Sequence, residues 1–491
     1  MAALLRETVS FSKQFNDTFP TIVISLALCT FPAAISYLFL AYYGNAHKSQ
    51  KPSALPVPAV ESWIPWIGKS VQLMRDPLTF IVESRRKYGP LFEMTTWGSK
   101  LIVATDPGML MSLEHQCKDL NPSTSRVDAF RALTGIHDSE RMTEVMGTRI
   151  MPVSSKILSP SGTLKSGLME TFNERLMHNF DALTAELKAN GPKTMRLSEF
   201  ISYHLFCAST NSLFGPTFPF DSYPHYAIIS SSIQILHSPM ANWPFVARKA
   251  RRARQGMIDA LIKYTEDWWH NGGQIEGVSQ LVGQSLIIMK EENLSIEEAA
   301  GSLLISLWGA LFNVSAMTYW LTAQLLVDEK IYTNLREEAV DKHYMEAPLL
   351  ESAALETLRT GSVPPPTRSV DADAEIVVDG KRYFFQKGSR IISEMSGYHY
   401  NPDVYADPHS FKLERFFDES LPRPKPFGEG HHFCRGMHLA KLEIKSFISH
   451  ALKHFNLRVV GSKELPKLKR AGLIPDVLGS DNITLEVSLR D

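Results

Sequence analysis

The chain has 491 residues, 44% hydrophobic and 21% charged, and its 51 Lys plus Arg balance 52 Asp plus Glu to a net charge of −1. That composition excludes disordered, collagen-like and coiled-coil chains, and the absence of a basic surplus removes the electrostatic case for nucleic-acid binding. Four scattered cysteines, Cys29, Cys117, Cys207 and Cys434, form neither a disulfide scaffold nor a zinc cluster, since both need close pairs.

Thr21 to Tyr43 is an uncharged run of 23 residues. A bilayer core of roughly 30 Å takes about 20 helical residues, so this run is long enough to span. A cleaved signal peptide has a shorter apolar region, about 7–15 residues. Here the run ends in Tyr42 and Tyr43, which suit a membrane interface. Lys48 and Lys51 follow it, whereas Arg6 and Lys13 upstream are offset by Glu7 and Asp17, so the C-terminal side is expected in the cytosol. Residues 1–20 are then a short lumenal N-terminus and residues 21–43 a transmembrane anchor.

Residues 44–70 carry Pro52, Pro56, Pro58 and Pro65. Proline fixes φ and removes a donor, so this is a stiff extended hinge. A β region follows from Tyr88 to Thr105, with its turn at Gly98, and Asp379-Gly380 marks a second hairpin. Between and after these, apolar residues recur at helical spacing over Ser154 to Leu187, Leu197 to Phe214 and Ile296 to Val327. Ser295 and Glu298 form a capping box for the last. The fold class is mainly α with a minor β-sheet region.

The most informative stretch is Phe427 to Gly436, FGEGHHFCRG. Its glycines allow positive φ and let a bulky planar group come close to the backbone. A lone thiolate in such a loop is a soft ligand suited to iron. The helix beginning at Met437 would place its positive N-terminal end behind the sulfur.

This run resembles the haem-binding loop of the cytochrome P-450 superfamily, F-x-x-G-x-R/H-x-C-x-G, at Phe427, Gly430, His432, Cys434 and Gly436. Three further landmarks occur in order: Glu356-x-x-Arg359, the segment Asn401-Pro402-Asp403 with Asp407-Pro408, and Phe411 to Phe416 ending in Glu414-Arg415-Phe416. In the last, Leu413 stands where proline is usual. The resemblance implies the P-450 fold over a haem-thiolate catalytic domain at residues 71–491, with heme b as cofactor. Cys434 would be the axial iron ligand. His432 and Arg368 would face haem propionates, Phe427 would shield the thiolate, and Glu356, Arg359 and Arg415 would form a buried ion network.

The distal helix departs from the pattern. Where the family has A-G-x-D/E-T, this chain has Gly309-Ala310-Leu311-Phe312-Asn313. Phenylalanine replaces the acid, and Asn313, the candidate catalytic residue, can hydrogen-bond but cannot titrate near neutral pH. The same asparagine marks the branch of sterol 7α-hydroxylases and prostacyclin synthase. The usual W-x-x-x-R of the C helix is missing too, which leaves one haem contact unassigned.

The resemblance further implies a lipophilic substrate, of terpenoid, sterol-like or other secondary-metabolite type. The pocket is expected to be lined by residues 131–147, Phe200 to Pro216, the distal helix, Ser362 to Pro366 and a turn at Leu473 and Ile474. Electrons would come from NADPH through cytochrome P-450 reductase at the endoplasmic reticulum membrane, since no flavin or nicotinamide fingerprint is present. Arg423, Lys425, Arg435, Lys441 and Lys445 are the expected docking cations. The N-terminus and anchor resemble those of fungal biosynthetic members. Two other readings stay open: a haem-thiolate isomerase or dehydratase that needs neither O2 nor NADPH, and a non-catalytic haem or lipid binder.

Overall fold

The computed structural model describes residues 54–490 except 63–66, 97, 118–119, 122, 238–240, 242, 244, 274, 362–364, 429–432, 462, 466–468, 472–473 and 477–482. The expected anchor, Gly430, His432, Ser362 and Leu473 lie outside the described residues.

The second half of the proline-rich segment is extended, as its prolines require. Strand β1 (Leu55–Pro56) lies parallel to a strand more than 300 residues later, and Ala59 bridges to Glu93. Strands β2 (Leu91–Thr96) and β3 (Ser99–Ala104) form the first expected hairpin, with Gly98 at φ 76°. Helix α1 (Met109–Gln116), the short strand β4 (Leu120–Asn121) and helix α2 (Ser123–Thr134) come next. A π-helical turn, Met146–Ile150, then interrupts the helix running from Glu140 to Ile157.

The helical run expected from Ser154 to Leu187 is broken. Pro160 starts a new short helix, Gly167 sits at φ 73°, and α3 runs from Leu168 to Asn190. Strand β5 (Lys193–Arg196) leads into α4 (Leu197–Phe214), and α5 spans Arg248–His270. Helix α6 (Ile296–Val327) opens with the expected capping box: Ser295 Oγ accepts from Glu298 N at 3.2 Å, and Glu298 Oε2 accepts from Ser295 N at 2.8 Å. Its 32 residues, about 48 Å at 1.5 Å per residue, run through the core and are mostly buried. They are long and apolar enough to cross a membrane by composition, but here that apolarity is spent on protein packing.

Helix α7 (Pro348–Thr360) precedes β6 (Thr367–Val370), then the hairpin β7 (Ala374–Val378) and β8 (Lys381–Phe385), and β9 (Arg390–Ser393). Asp379 and Gly380 both take positive φ, 49° and 73°, as a two-residue hairpin turn requires. Helix α8 (Met437–His454) is followed by β10 (Phe455–Val460), a small hairpin of β11 (Lys469–Ala471) and β12 (Ile474–Asp476), and β13 (Thr484–Leu489). The main sheet has the order β2-β3-β9-β6-β4; β1-β8-β7 and β10-β13-β5 form smaller sheets. One large apolar core joins α3, α4, α5, α6 and α8, and this rigid helical body positions the site.

Candidate functional site

The loop before α8 is built by its backbone. Cys434 N donates to Phe427 O at 2.9 Å, which closes the loop on itself. Gly428 holds φ at 73°, and a Cβ there would come 2.9 Å from Pro366 Cγ, so the close approach of the two segments requires glycine. Among the described cysteines, Cys117 and Cys207 are buried and Cys434 is exposed. Surface accessibility does not make the Cys434 thiol acidic. Burial of the sulfur within the surrounding loop pushes its pKa above the usual value, while the Gly436 backbone and Arg435 pull it down by less. A metal cation at the sulfur would reverse that direction, because a coordinating thiol is deprotonated outright.

Behind the loop lies the expected ion network. Arg359 donates from Nε and Nη2 to the two oxygens of Glu356, both at 2.8 Å, and from Nη1 to the carbonyls of His399 and Pro408, also at 2.8 Å. Arg415 Nε donates to the same carboxylate, and its Nη atoms donate to the carbonyls of Ala406, Asp407 and Ser410. The side chains of Glu356 and Arg359 are 0% exposed. The three further landmarks of the sequence are thus one structure, in which Arg359 and Arg415 tie the meander at 399–415 to α7.

Arg368 lies on β6 and is 3% exposed, so it is no surface arginine. Its Nε donates to Glu114 on α1 at 2.5 Å and its Nη1 to Thr367 O at 2.9 Å, whereas Nη2 has no partner among the described residues. A buried guanidinium with one N–H unspent is suited to a carboxylate. No motif announces Glu114; only the fold brings α1 to β6.

Past the first turn of α6, exposed positions occur in one stretch. Ser306 and Gly309 are exposed, and Trp308, Ala310 and Asn313 are half-buried, while residues on either side are mostly buried. A Cβ on Gly309 would meet nothing within 4 Å. Asn313 Oδ1 is buried without a partner among the described residues. Phe312 is buried and stacks on Trp308, ring centroids 4.8 Å apart. The residue replacing the family's acid is therefore packing, and the asparagine is the polar group left at the opening. Helix α6 packs against α8, the helix that Cys434 precedes.

A thiol on an accessible loop, a partnerless buried guanidinium N–H and an open stretch with an unsatisfied amide together fit a planar, carboxylate-bearing iron cofactor. Cys434 would hold the metal, and Arg368 would hold a carboxylate edge.

Two sequence expectations are corrected. Lys445 does not belong to a surface docking cluster: it is buried and pairs with Glu351 at 2.7 Å. Arg423, Lys425, Arg435 and Lys441 remain: the first two and Lys441 line a concavity of about 830 Å³ beside Phe427 and Phe433, and the Arg435 guanidinium lies over the Phe433 ring, 4.2 Å from its centroid. The helix from Phe200 was expected to line the pocket but is core. Phe200 stacks among Phe180, Phe447 and Phe455, and Phe206 among Phe218, Tyr223 and Tyr226, so both faces are spent on packing.

Comparison with known proteins agrees with this geometry. A pig 5-beta-cholestane-3-alpha,7-alpha-diol 12-alpha-hydroxylase is 22% identical, over 87% of this chain and 90% of its own. Human prostacyclin synthase is also 22% identical, over 82% and 88%. A cyanobacterial cytochrome P450 solved with retinoic acid bound shares the fold at a TM-score of 0.66 and 20% identity, covering 89% of this chain and 100% of that one. The family model described as Cytochrome P450 matches residues 58–479, most of the described structure, so the chain belongs to the cytochrome P450 family, whose prosthetic group is a haem with cysteine thiolate ligation.

Proposed function

We propose that this chain is a membrane-anchored haem-thiolate monooxygenase that oxidises a lipophilic substrate of terpenoid or sterol-like type. One oxygen atom of O2 enters the substrate, the other leaves as water, and the two electrons come from NADPH through a reductase. The opening at Ser306, Gly309 and Asn313 carries the reading, because a purely haem-binding or lipid-binding protein has no use for an open distal position.

Bound through Cys434, the haem supplies oxygen activation, favoured by electron density from the thiolate. The chain's own residues bind and orient. Arg368, His432 and Phe427 hold and shield the cofactor. Asn313 positions water or a substrate oxygen, holding the hydrogen bond at Oδ1 or its amide, and Phe312 with Trp308 closes the side where the usual acid would sit. The reductase docks at the concavity carrying Arg423, Lys425 and Lys441, whose mixed apolar and cationic lining suits an acidic flavoprotein. Residues 21–43 anchor the catalytic domain, from about residue 71, to the endoplasmic reticulum membrane with residues 44–70 as hinge, on the apolarity and charge bias of the sequence.

A second reading is favoured by one observation. Asn313 has no titratable neighbour at position 312, and prostacyclin synthase is among the relatives. In that reading the enzyme rearranges an oxygenated substrate without O2 or NADPH, and Asn313 orients the substrate's oxygen. Wild-type protein is incubated with a lipophilic substrate that gives a binding-induced spectral shift, anaerobically and without reductant. No product is expected under those conditions, and product on addition of O2, NADPH and reductase. Product without them would establish the rearrangement instead.

A further inference from the structure

Phe245 is 91% exposed, the highest value among the large apolar side chains described, and Trp243 two residues before it is 58% exposed. Both lie just ahead of α5. The turn that carries them is tied down: Val246 N donates to Trp243 O at 3.1 Å, and Arg251 Nη1 donates to the carbonyls of Ala241 and Trp243 at 2.7 and 3.1 Å. A fixed turn that holds two aromatic rings in water marks an interaction surface.

The same surface is cationic. Between Asp221 and Asp259 the chain has five basic residues and no acidic one. Ala250, Ala253 and Met257 bury one face of α5, and Arg248, Lys249 and Arg252 are exposed on the other. These three join Phe245, Ile228 and Ile235 around a concavity of about 620 Å³, which no acidic residue lines. Its far wall is the helix Tyr223–Ser231 with the short helix Ile233–Leu236. A Cβ on Gly256 would come 2.6 Å from His225 Nε2, so glycine lets that wall lie close against α5.

We propose that this face selects anionic phospholipid: Arg248, Lys249 and Arg252 bind lipid phosphates at the concavity, and Trp243 and Phe245 enter the headgroup layer beside them. Clustered cations without acidic neighbours gain from an anionic partner, and outward aromatic rings gain from an apolar one. An anionic bilayer surface offers both at once, and each basic residue near it is worth about fivefold in binding. The proposal does not rest on the anchor expected at residues 21–43. A hydrophobic span is held equally by neutral lipid, so headgroup selectivity is the property of this face.

The test uses the full-length holoprotein in vesicles of phosphatidylcholine with brominated acyl chains, alone or as a two-to-one mixture with phosphatidylserine. Bromine quenches tryptophans that reach the bilayer, and the difference between wild type and Trp243→Phe isolates Trp243. Its quenching should be several-fold greater with phosphatidylserine, and high salt should remove that gain by screening. Arg248→Glu, Lys249→Glu and Arg252→Glu together should erase the difference between the two lipids, with far-ultraviolet circular dichroism unchanged. If the triple variant does not fold, Arg252→Glu alone carries the test, with a shift of about fivefold. Phe245→Ser should lower quenching in both lipids and keep the salt effect. Equal quenching of Trp243 in the two lipids would overturn the selectivity. Quenching in neither would overturn the proposal as a whole, and is the result an acidic protein partner at this face would give. Carbonate extraction reads the anchor separately: wild type that washes off the vesicles refutes the span, whatever Trp243 shows before the wash.

Discussion

Arg415 lies 59 residues beyond Glu356 in the chain, yet its Nε donates to both oxygens of that carboxylate, at 2.9 and 3.0 Å. Glu356 already holds Arg359 from one helical turn away. One carboxylate thus pairs with two buried arginines and joins a local helix to a distant loop, while backbone carbonyls accept from the remaining guanidinium N–H groups. Glu356→Gln would leave two buried cations without a counter-charge, for which losses of about 3–5 kcal/mol are typical. Guanidinium-chloride unfolding should show a drop of that size, together with loss of haem from the purified protein. A drop below about 1 kcal/mol would mean the network is dispensable.

Cys434→Ser should remove the thiolate-type band of the reduced carbon-monoxide complex and all oxygen-dependent activity, while far-ultraviolet circular dichroism stays unchanged. Cys117 and Cys207 cannot substitute, because both are buried in core clusters. Survival of the band in the variant contradicts the assignment.

Asn313→Ala removes a polar side chain at the α6 opening whose acceptor has no partner among the described residues. Positioned proton-handling groups contribute typically about 10²–10⁴-fold. In a monooxygenase the variant should still consume NADPH but release hydrogen peroxide instead of product. The ratio of product formed to NADPH consumed is the measurement, and an unchanged ratio removes Asn313 from the chemistry.

Lys441 and Lys445 are four residues apart on α8 but have different surroundings. Lys441 lines the open concavity, and Lys445 is buried against Glu351. Lys441→Glu should slow reductase-driven turnover several-fold, more so at low ionic strength, and spare peroxide-driven activity. Lys445→Glu should instead lower the thermal midpoint and reduce both activities equally. If the two variants behave alike, electrostatic docking at Lys441 is wrong.

Acid stability follows from two buried histidines and one half-buried one. Burial depresses His204 and His450 to about 4, and His399, with Arg359 also opposing it, to about 3. Between about pH 6.5 and these values the unfolded chain binds protons that the native chain refuses, so stability falls as pH falls through that window. For His204 the loss amounts to roughly 3 kcal/mol. Glu443 acts in the opposite sense: burial raises it to about 8, so it favours the fold as pH falls toward its ordinary value near 4.5. One such group is outnumbered by three histidines, and the net effect is acid lability. His204→Phe, placed among Phe180 and Phe200, should move the acid-unfolding midpoint to lower pH by a few tenths of a unit. Glu443→Gln should stabilise the fold above pH 8. A midpoint unmoved by His204→Phe would show that His204 does not contribute.

What the sequence alone determined is local. The Cys434 loop, the capping box at Ser295, the Asp379-Gly380 turn and the apolar run of α6 are each set by residues within a few positions of one another, and short-range sterics and hydrogen bonding suffice to specify them. Tertiary structure decided whatever depends on which distant surfaces meet. It turned Lys445 inward to Glu351, buried the helix from Phe200 in an aromatic core, and rotated Phe312 onto Trp308. It also brought Glu114 to Arg368 across 254 residues. A charged or aromatic side chain reads the same in sequence whether it faces water or core. Its role is set by the desolvation and the partners it meets after packing, and neither is encoded in its neighbours along the chain.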